Sequence, residues 1–369
     1  MGPFDVRVCG AGIVGKTLAL ALSRLGLSVA LRSEAARSPQ GADVRAYALN
    51  AGSIALLRRL KVWESLPADA TTPVRDMLVH GDAAGAALEF SAWEQRVGEL
   101  AVIADAAELE RQLEQALRFA PHVSLVESDV SATLVAHCEG RAAAALQSLG
   151  AGFEQVPYGQ RAIAARLVAS RPHAHVARQW FRAPDVLALL PFDRPQASSS
   201  YALVWSLDQK RAADLLAAGA IEFEAELMRA TNGEAGELKL ATERAAWPLL
   251  SGRAQTWCGP GWVLAGDAAH VVHPLAGQGL NLGLADVAAL VDVIEAREPW
   301  RSVGDERLLR RYVRQRAAPT WAMLRITDGL LRLFSATPAP IRELRNNGMT
   351  LVNHVSPLKR WLTARALDS

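Results

Sequence analysis

The sequence predicts an α/β fold: a nucleotide-binding domain on a parallel sheet, interleaved with an antiparallel β-sheet domain and followed by a helical C-terminus. Three observations predict it. Val6 to Cys9 is a short apolar strand running into Gly10-Ala11-Gly12-Ile13-Val14-Gly15 and then a helix-compatible stretch, Lys16 to Leu25, stopped by Gly26. Far down the chain, a second apolar run, Trp262 to Ala265, meets Gly266-Asp267 and leads through a glycine-rich stretch to an apolar helical segment, Leu280 to Ile294. Between them lie strand-length apolar segments separated by Pro, Asp and Ser.

GxGxxG by itself is a weak signal. Here it stands in strand-turn-helix context, with a further strand from Leu27 to Leu31, as a dinucleotide fingerprint requires. Its glycines shape the turn and let the backbone approach a pyrophosphate, and a helix N-terminus points its free N–H groups at that anion. The distant Gly-Asp turn offers a carboxylate beside another helix start. Together the two stretches point to FAD, and so to a Rossmann-like FAD-binding domain.

Taken in order, Arg32 to Asp43 is polar and reads as a loop, and Asn50 to Leu60 reads as a helix with apolar residues at 54, 56, 57 and 60. Met77 to His80 and Ala86 to Phe90 flank a glycine-bearing hairpin turn at 81–85. Residues 106–119 have helical periodicity, and Val123 to Val126 returns as a strand. Ala162 to Val168, Val176 to Phe181, Val186 to Leu190 and Tyr201 to Leu207 make an antiparallel roof. Helices at Gln209 to Ala218 and Ile221 to Ala230 and strands at Leu238 to Trp247 and Arg253 to Trp257 complete it. Leu308 to Phe334 and Leu351 to Leu367 are helical, with arginines beside apolar residues. The expected division is an FAD-binding domain of residues 1–73, 98–157 and 258–335, a substrate domain of 74–97 and 158–257, and a C-terminal helical segment of 336–369.

Half of the residues are apolar, so the chain folds around a core, and a net charge of +2 with no block of like charges argues against a nucleic-acid partner. Three cysteines, Cys9, Cys138 and Cys258, lie too far apart for a zinc motif or a disulfide framework, which suits a reducing cytoplasm. Neither a cleavable leader nor an apolar run of about eighteen residues is visible. The basic amphipathic end suits peripheral contact with a membrane surface, and equally a helix packed on its own domain with solvated arginines.

The GAGIVG turn, Val44 to Leu49 with Gly52-Ser53 and Val62-Trp63, Tyr158-Gly159-Gln160 to Pro172-His173, Leu189-Leu190-Pro191 and the run from Gly266 to Val287 resemble one family throughout. So do Tyr312 to Arg316 and Asp328 to Phe334. That family is the ubiquinone-biosynthesis hydroxylases of the para-hydroxybenzoate hydroxylase superfamily. The resemblance implies a monooxygenase that uses non-covalent FAD, NAD(P)H and O2 to hydroxylate a phenolic substrate, a ubiquinone precursor that can carry a prenyl tail. It implies cofactor contacts at Gly10, Gly12, Ile13, Val14, Gly15, Arg45 and Gly266. Asp267 would accept hydrogen bonds from FAD, and Pro274 with the backbone of Gly277, Gly279, Leu280 and Asn281 would line the flavin ring. Asp267 as a mere helix cap and Arg45 as a surface charge are the plain alternatives.

His270 and His273 are expected to make structural hydrogen bonds, and His173 and His175 form HxH without a third metal ligand, so no metal is expected. No GxSxG elbow supports a hydrolase.

Three departures stand out. Where the family has an acid for the adenosine ribose, this chain has Ser33, with Glu34 one step along. The family's Asp-Gly motif is Glu139-Gly140 here, and the span from Val123 to Glu139 is short by about a β-hairpin. These keep two other functions open, a degenerate accessory protein of quinone biosynthesis and a same-fold flavin reductase or dehydrogenase.

Overall fold

The computed structural model describes residues 3–33, 43–81, 87–139, 149–273 and 277–335. The expectations placed on Glu34, Pro274, Gly140, most of the hairpin turn and the 336–369 segment lie outside those residues.

The first sheet assembles from three distant stretches. Strands β1 (Phe4–Cys9) and β2 (Val29–Arg32) sandwich helix α1 (Ile13–Arg24) in sequence, and their pairing is parallel. Next come β3 (Ala46–Leu49), α2 (Ala51–Arg59), β4 (Thr71–Val74), β5 (Asp76–His80), β6 (Ala87–Ser91), the short α3 (Ala92–Gln95), β7 (Ala101–Asp105) and α4 (Ala106–Arg118). Asn50 caps α2 by accepting from the Ser53 N–H, and Asp105 caps α4 by accepting from Glu108, which fixes where both helices begin.

Strands β8 (Val123–Val126) and β9 (Ala132–His137) return to the first sheet, and residues 127–131 connect them directly. After the roof strands described next, β16 (Cys258–Gly259) and β17 (Trp262–Leu264) complete a six-stranded sheet ordered β16-β17-β9-β1-β2-β8. Strands β3, β7 and β4 form a separate three-stranded sheet.

The roof holds β10 (Phe153–Ala169), β11 (Val176–Arg182), β12 (Asp185–Phe192), β13 (Ser200–Asp208), β14 (Leu238–Leu240), β15 (Ala245–Ala254) and β18 (His270–Val271), with β5 and β6 at one edge. It differs from the expected sheet in two ways. The β5–β11 pair is parallel, because β5 enters from an earlier part of the chain without a hairpin. The single strand expected over 238–247 divides in two, with a break at 241–244, and strand structure ends at Ala254 rather than Trp257.

Side chains alternate across the roof. Ile163, Ala165, Leu203, Trp205, Leu187 and Leu189 pack with helices α5 (Gln209–Ala217) and α6 (Ala220–Thr231) through Leu215, Phe223 and Leu227. The opposite face carries the register-matched rows Ala162–Ser206–Val186–Phe181 and Ala164–Val204–Ala188–Gln179, which are mostly small.

Helices α7 (Gln278–Glu295) and α8 (Glu306–Ser335) close the chain. Helix α8 ties the two large sheets together: Tyr312 Oη donates to Leu264 O at 2.9 Å, while Leu331 packs with Phe181 and Val186 of the roof.

Candidate active site

The glycines of the first turn do three different things. Gly10 has φ +102, and a Cβ there would come 2.8 Å from Glu139 N and 2.9 Å from Glu139 Cγ. A Cβ on Gly15 would lie 1.8 Å from Gly10 O, so that glycine is required by contact within the turn itself. Around Gly12 nothing lies within 4 Å. Gly12 is also the N-cap of α1 and supplies no side chain to its free N–H groups, leaving a bare helix N-terminus beside an open space.

Ile13 is buried in the core and Val14 is wedged between two glycines of the second stretch. A Cβ on Gly266 would meet Val14 Cγ1 at 3.2 Å, and one on Gly283 would meet Val14 Cγ2 at 2.7 Å. The side chains of Ile13 and Val14 thus serve packing, and only their backbone is left for a cofactor.

Gly266 to Ala268 form a tight turn in which Asp267 is exposed between buried neighbours. The Gly266 N–H donates to Asp286 Oδ2 on α7 at 3.0 Å. Asp286 is fully buried and also accepts from His270 Nε2 at 2.6 Å and Arg316 Nε at 2.8 Å. Burial opposes the charge, but His270 and Arg316 outweigh it and hold the carboxyl below the usual carboxylate range. His270 is structural, as expected. Asp286 carried no role in the sequence reading; its signal was an acid flanked by apolar residues on both sides within the helix.

Asn281 is spent on protein contacts. Its Oδ1 accepts from the Asn50 N–H (3.0 Å) and Ser53 Oγ (2.8 Å), and its Nδ2 donates to Ala48 O (2.8 Å) and Gln278 Oε1 (3.3 Å). All four of its bonding positions are used. Asn281 therefore docks the start of α7 on the β3–α2 corner, and its side chain is not available to line a flavin. Gly277 is the N-cap of α7 with φ +64, Gly279 has only ordinary contacts, and Leu280 packs on the core.

His273 is 1 % exposed. Gln160 Nε2 donates to Pro184 O at 2.8 Å, so Gln160 Oε1 is the acceptor facing His273 Nε2 at 3.4 Å. The proton then sits on Nε2, and Nδ1 is a buried acceptor with no partner among the described residues. Burial pushes this imidazole down to about 4, so it is neutral. Tyr158 meets its ring edge-on at 5.0 Å and bonds Asp328 of α8 through its hydroxyl.

Arg45 is held by Asp43 through Nε (2.9 Å) and Nη2 (2.7 Å), and lies over Tyr47 at 5.9 Å. Ser33 follows β2 and donates its N–H to Val126 O. Glu139 does not stand open to a ligand as an isolated carboxylate, because Arg32 bonds it. Away from this region, His173 contacts Asp193 at 3.3 Å and His175 contacts Pro73 O at 3.1 Å, each a local structural bond.

A bare helix N-terminus, an open glycine and a second glycine-lined helix start fit a dinucleotide whose phosphates meet the first and whose ring meets the second. The FAD binding domain family model matches residues 118–327. The fold is shared with PqsL, a probable FAD-dependent monooxygenase from Pseudomonas aeruginosa, at a TM-score of 0.76 and 19% identity over 94% of this chain and 99% of that one. The matched domain and the shared fold make the protein an FAD-binding flavoprotein. The chain is 31% identical to ubiquinone hydroxylase UbiL of Rhodospirillum rubrum over 99% of its own length and 90% of that protein's. With 3-demethoxyubiquinol 3-hydroxylase of Escherichia coli it shares 30% identity over 99% and 98%. It belongs to the ubiquinone-biosynthesis hydroxylase family of flavoprotein aromatic hydroxylases.

Proposed function

We propose that the enzyme hydroxylates the phenolic ring of a ubiquinone precursor, with NAD(P)H as electron donor and O2 as oxygen source. The observation that carries this is the near full-length match to a demethoxyubiquinol hydroxylase. Bound FAD supplies the oxygen chemistry. The chain's own groups hold and orient. Gly10, Gly12, Gly15 and the α1 N-terminus receive the pyrophosphate, Asp267 accepts from the sugar or ribityl hydroxyls, and the backbone of 277–281 lines the ring.

The substrate ring lies against the small-residue face of the roof, at Ala162, Ala164, Ala188 and Val204. His273 Nδ1 supports the assignment by offering a neutral acceptor to the ring hydroxyl, beside the Tyr158–Asp328 pair. No described helix is long and apolar enough to cross a membrane. The outward face of α8 carries Trp321 and Ile326, 49% and 52% exposed, with Arg325 over Trp321, and this basic aromatic face suits contact with a membrane that stores a prenylated substrate.

NAD(P)H oxidation by the FAD-loaded protein with candidate phenols, read with product mass, tests the function. A product heavier by one oxygen is expected. Oxidation without that product turns the assignment to a reductase, and a protein that never turns over with bound FAD turns it to an accessory role.

A further inference from the structure

The first glycine of the phosphate turn carries a carboxylate against it. Glu139 packs its backbone and Cγ on Gly10, the place where an FAD pyrophosphate, with its own negative charge, would enter. A carboxylate there opposes binding unless it is neutralised. Arg32, the last residue of β2, reaches across β1 to Glu139, and its own carbonyl accepts from the Gly10 N–H at 3.3 Å.

The same guanidinium bonds Asp129 at 2.6 Å, and Arg7 lies 3.3 Å from Asp129 while donating to Val130 O. Asp129 arrives because residues 127–131 pass straight from β8 to β9. The quartet of Arg7, Arg32, Asp129 and Glu139 is balanced. The Glu139 and Arg32 side chains are only 14% and 19% exposed, so water screens the pair weakly. His137, the last residue of β9 and two positions before Glu139, cannot replace Arg32, since burial holds its imidazole below the ordinary value.

We propose that Arg32 is a positioning residue for FAD, which it admits by neutralising Glu139 beside the phosphate turn. The inference rests on the FAD site proposed at Gly10–Gly15. Loss of Arg32 leaves one uncompensated negative charge next to the pyrophosphate. Loss of the Glu139 charge does no harm.

Apoprotein titrated with FAD, followed by flavin fluorescence, tests this without turnover. Wild type that takes up no FAD overturns the cofactor site and the inference together. With wild-type binding in hand, Arg32→Ala should raise Kd about ten- to a hundredfold, as expected for an unpaired charge in partly screened surroundings. Added salt should narrow that gap, and Arg32→Lys should recover most of it. Glu139→Gln should leave Kd unchanged or lower it, and the double variant Arg32→Ala/Glu139→Gln should return to within about threefold of wild type. Weaker binding in Glu139→Gln by tenfold or more overturns the proposal, since Glu139 would then hold FAD directly; this holds even if Arg32→Ala fails to fold. A double variant no better than Arg32→Ala overturns it too, by making the pair merely structural.

Discussion

The two glycine stretches look alike in sequence but spend their glycines differently. In the first, Gly10 and Gly15 are required by contacts with Glu139 and with the turn's own backbone, and Gly12 alone faces open space. In the second, Gly266 and Gly283 accommodate Val14 of the first stretch, while Gly277 and Gly279 have room above them. The stretches are thus a lock and its bolt. Glycines that let elements meet cannot be told by composition from glycines that let a ligand approach. The second stretch also carries a buried carboxylate, Asp286, whereas the buried charge of the first is the Lys16 ammonium, paired with Glu114 at 2.6 Å.

Asp286→Ala should break the comparison most severely. It leaves His270, Arg316 and the Gly266 N–H without their buried acceptor, and removing one partner of a buried ion pair costs about 3–5 kcal/mol. Chemical denaturation of the apoprotein measures it, and a loss under about 1 kcal/mol would show the network to be dispensable.

A pH series separates the stretches next. His273 stays neutral in the folded protein down to about 4, whereas the imidazole of the unfolded chain takes up a proton near its ordinary 6.5. Stability from this group is complete above 6.5 and is lost as pH falls towards 4, because the unfolded state then binds the extra proton. Between pH 7 and 4.5 wild type should lose about 2–3 kcal/mol more than His273→Phe. Equal slopes in urea midpoints would mean that the imidazole is protonated when folded.

Gly12→Val should weaken FAD binding about a hundredfold or more, near 2.7 kcal/mol, while leaving the apoprotein's melting temperature within about 2 °C of wild type. Retained FAD would move the phosphate site elsewhere. The smallest effect is expected at the bolt. Gly283→Ala should cost about 1–3 kcal/mol by overpacking, and Val14→Ala in the same chain should return part of it. Additive losses in that double-mutant cycle would show that the two positions do not press on one another.

Much of the cofactor half was legible because local rules suffice there. The strand-turn-helix at 4–24 and the strand-turn before α7 announce themselves through apolar runs punctuated by glycine, and Asn50 and Asp105 sit where helix caps belong. The helices and most strands of the roof followed from periodicity. The break at 241–244 and the parallel β5–β11 pair did not, since strand pairing depends on partners remote in sequence.

By itself the sequence determined the glycine turn between β1 and α1, the interleaved αβ order and the family, because these rest on residue types at short, fixed spacings. Only the tertiary structure decided what the polar residues bond. The Asn281 side chain bonds Ala48, Asn50 and Ser53, Asp286 took the buried charges, and Arg32 reached Glu139 across β1. A hydrogen bond or ion pair is chosen by distance in space, and the partners here lie from a few to more than two hundred positions apart in the chain.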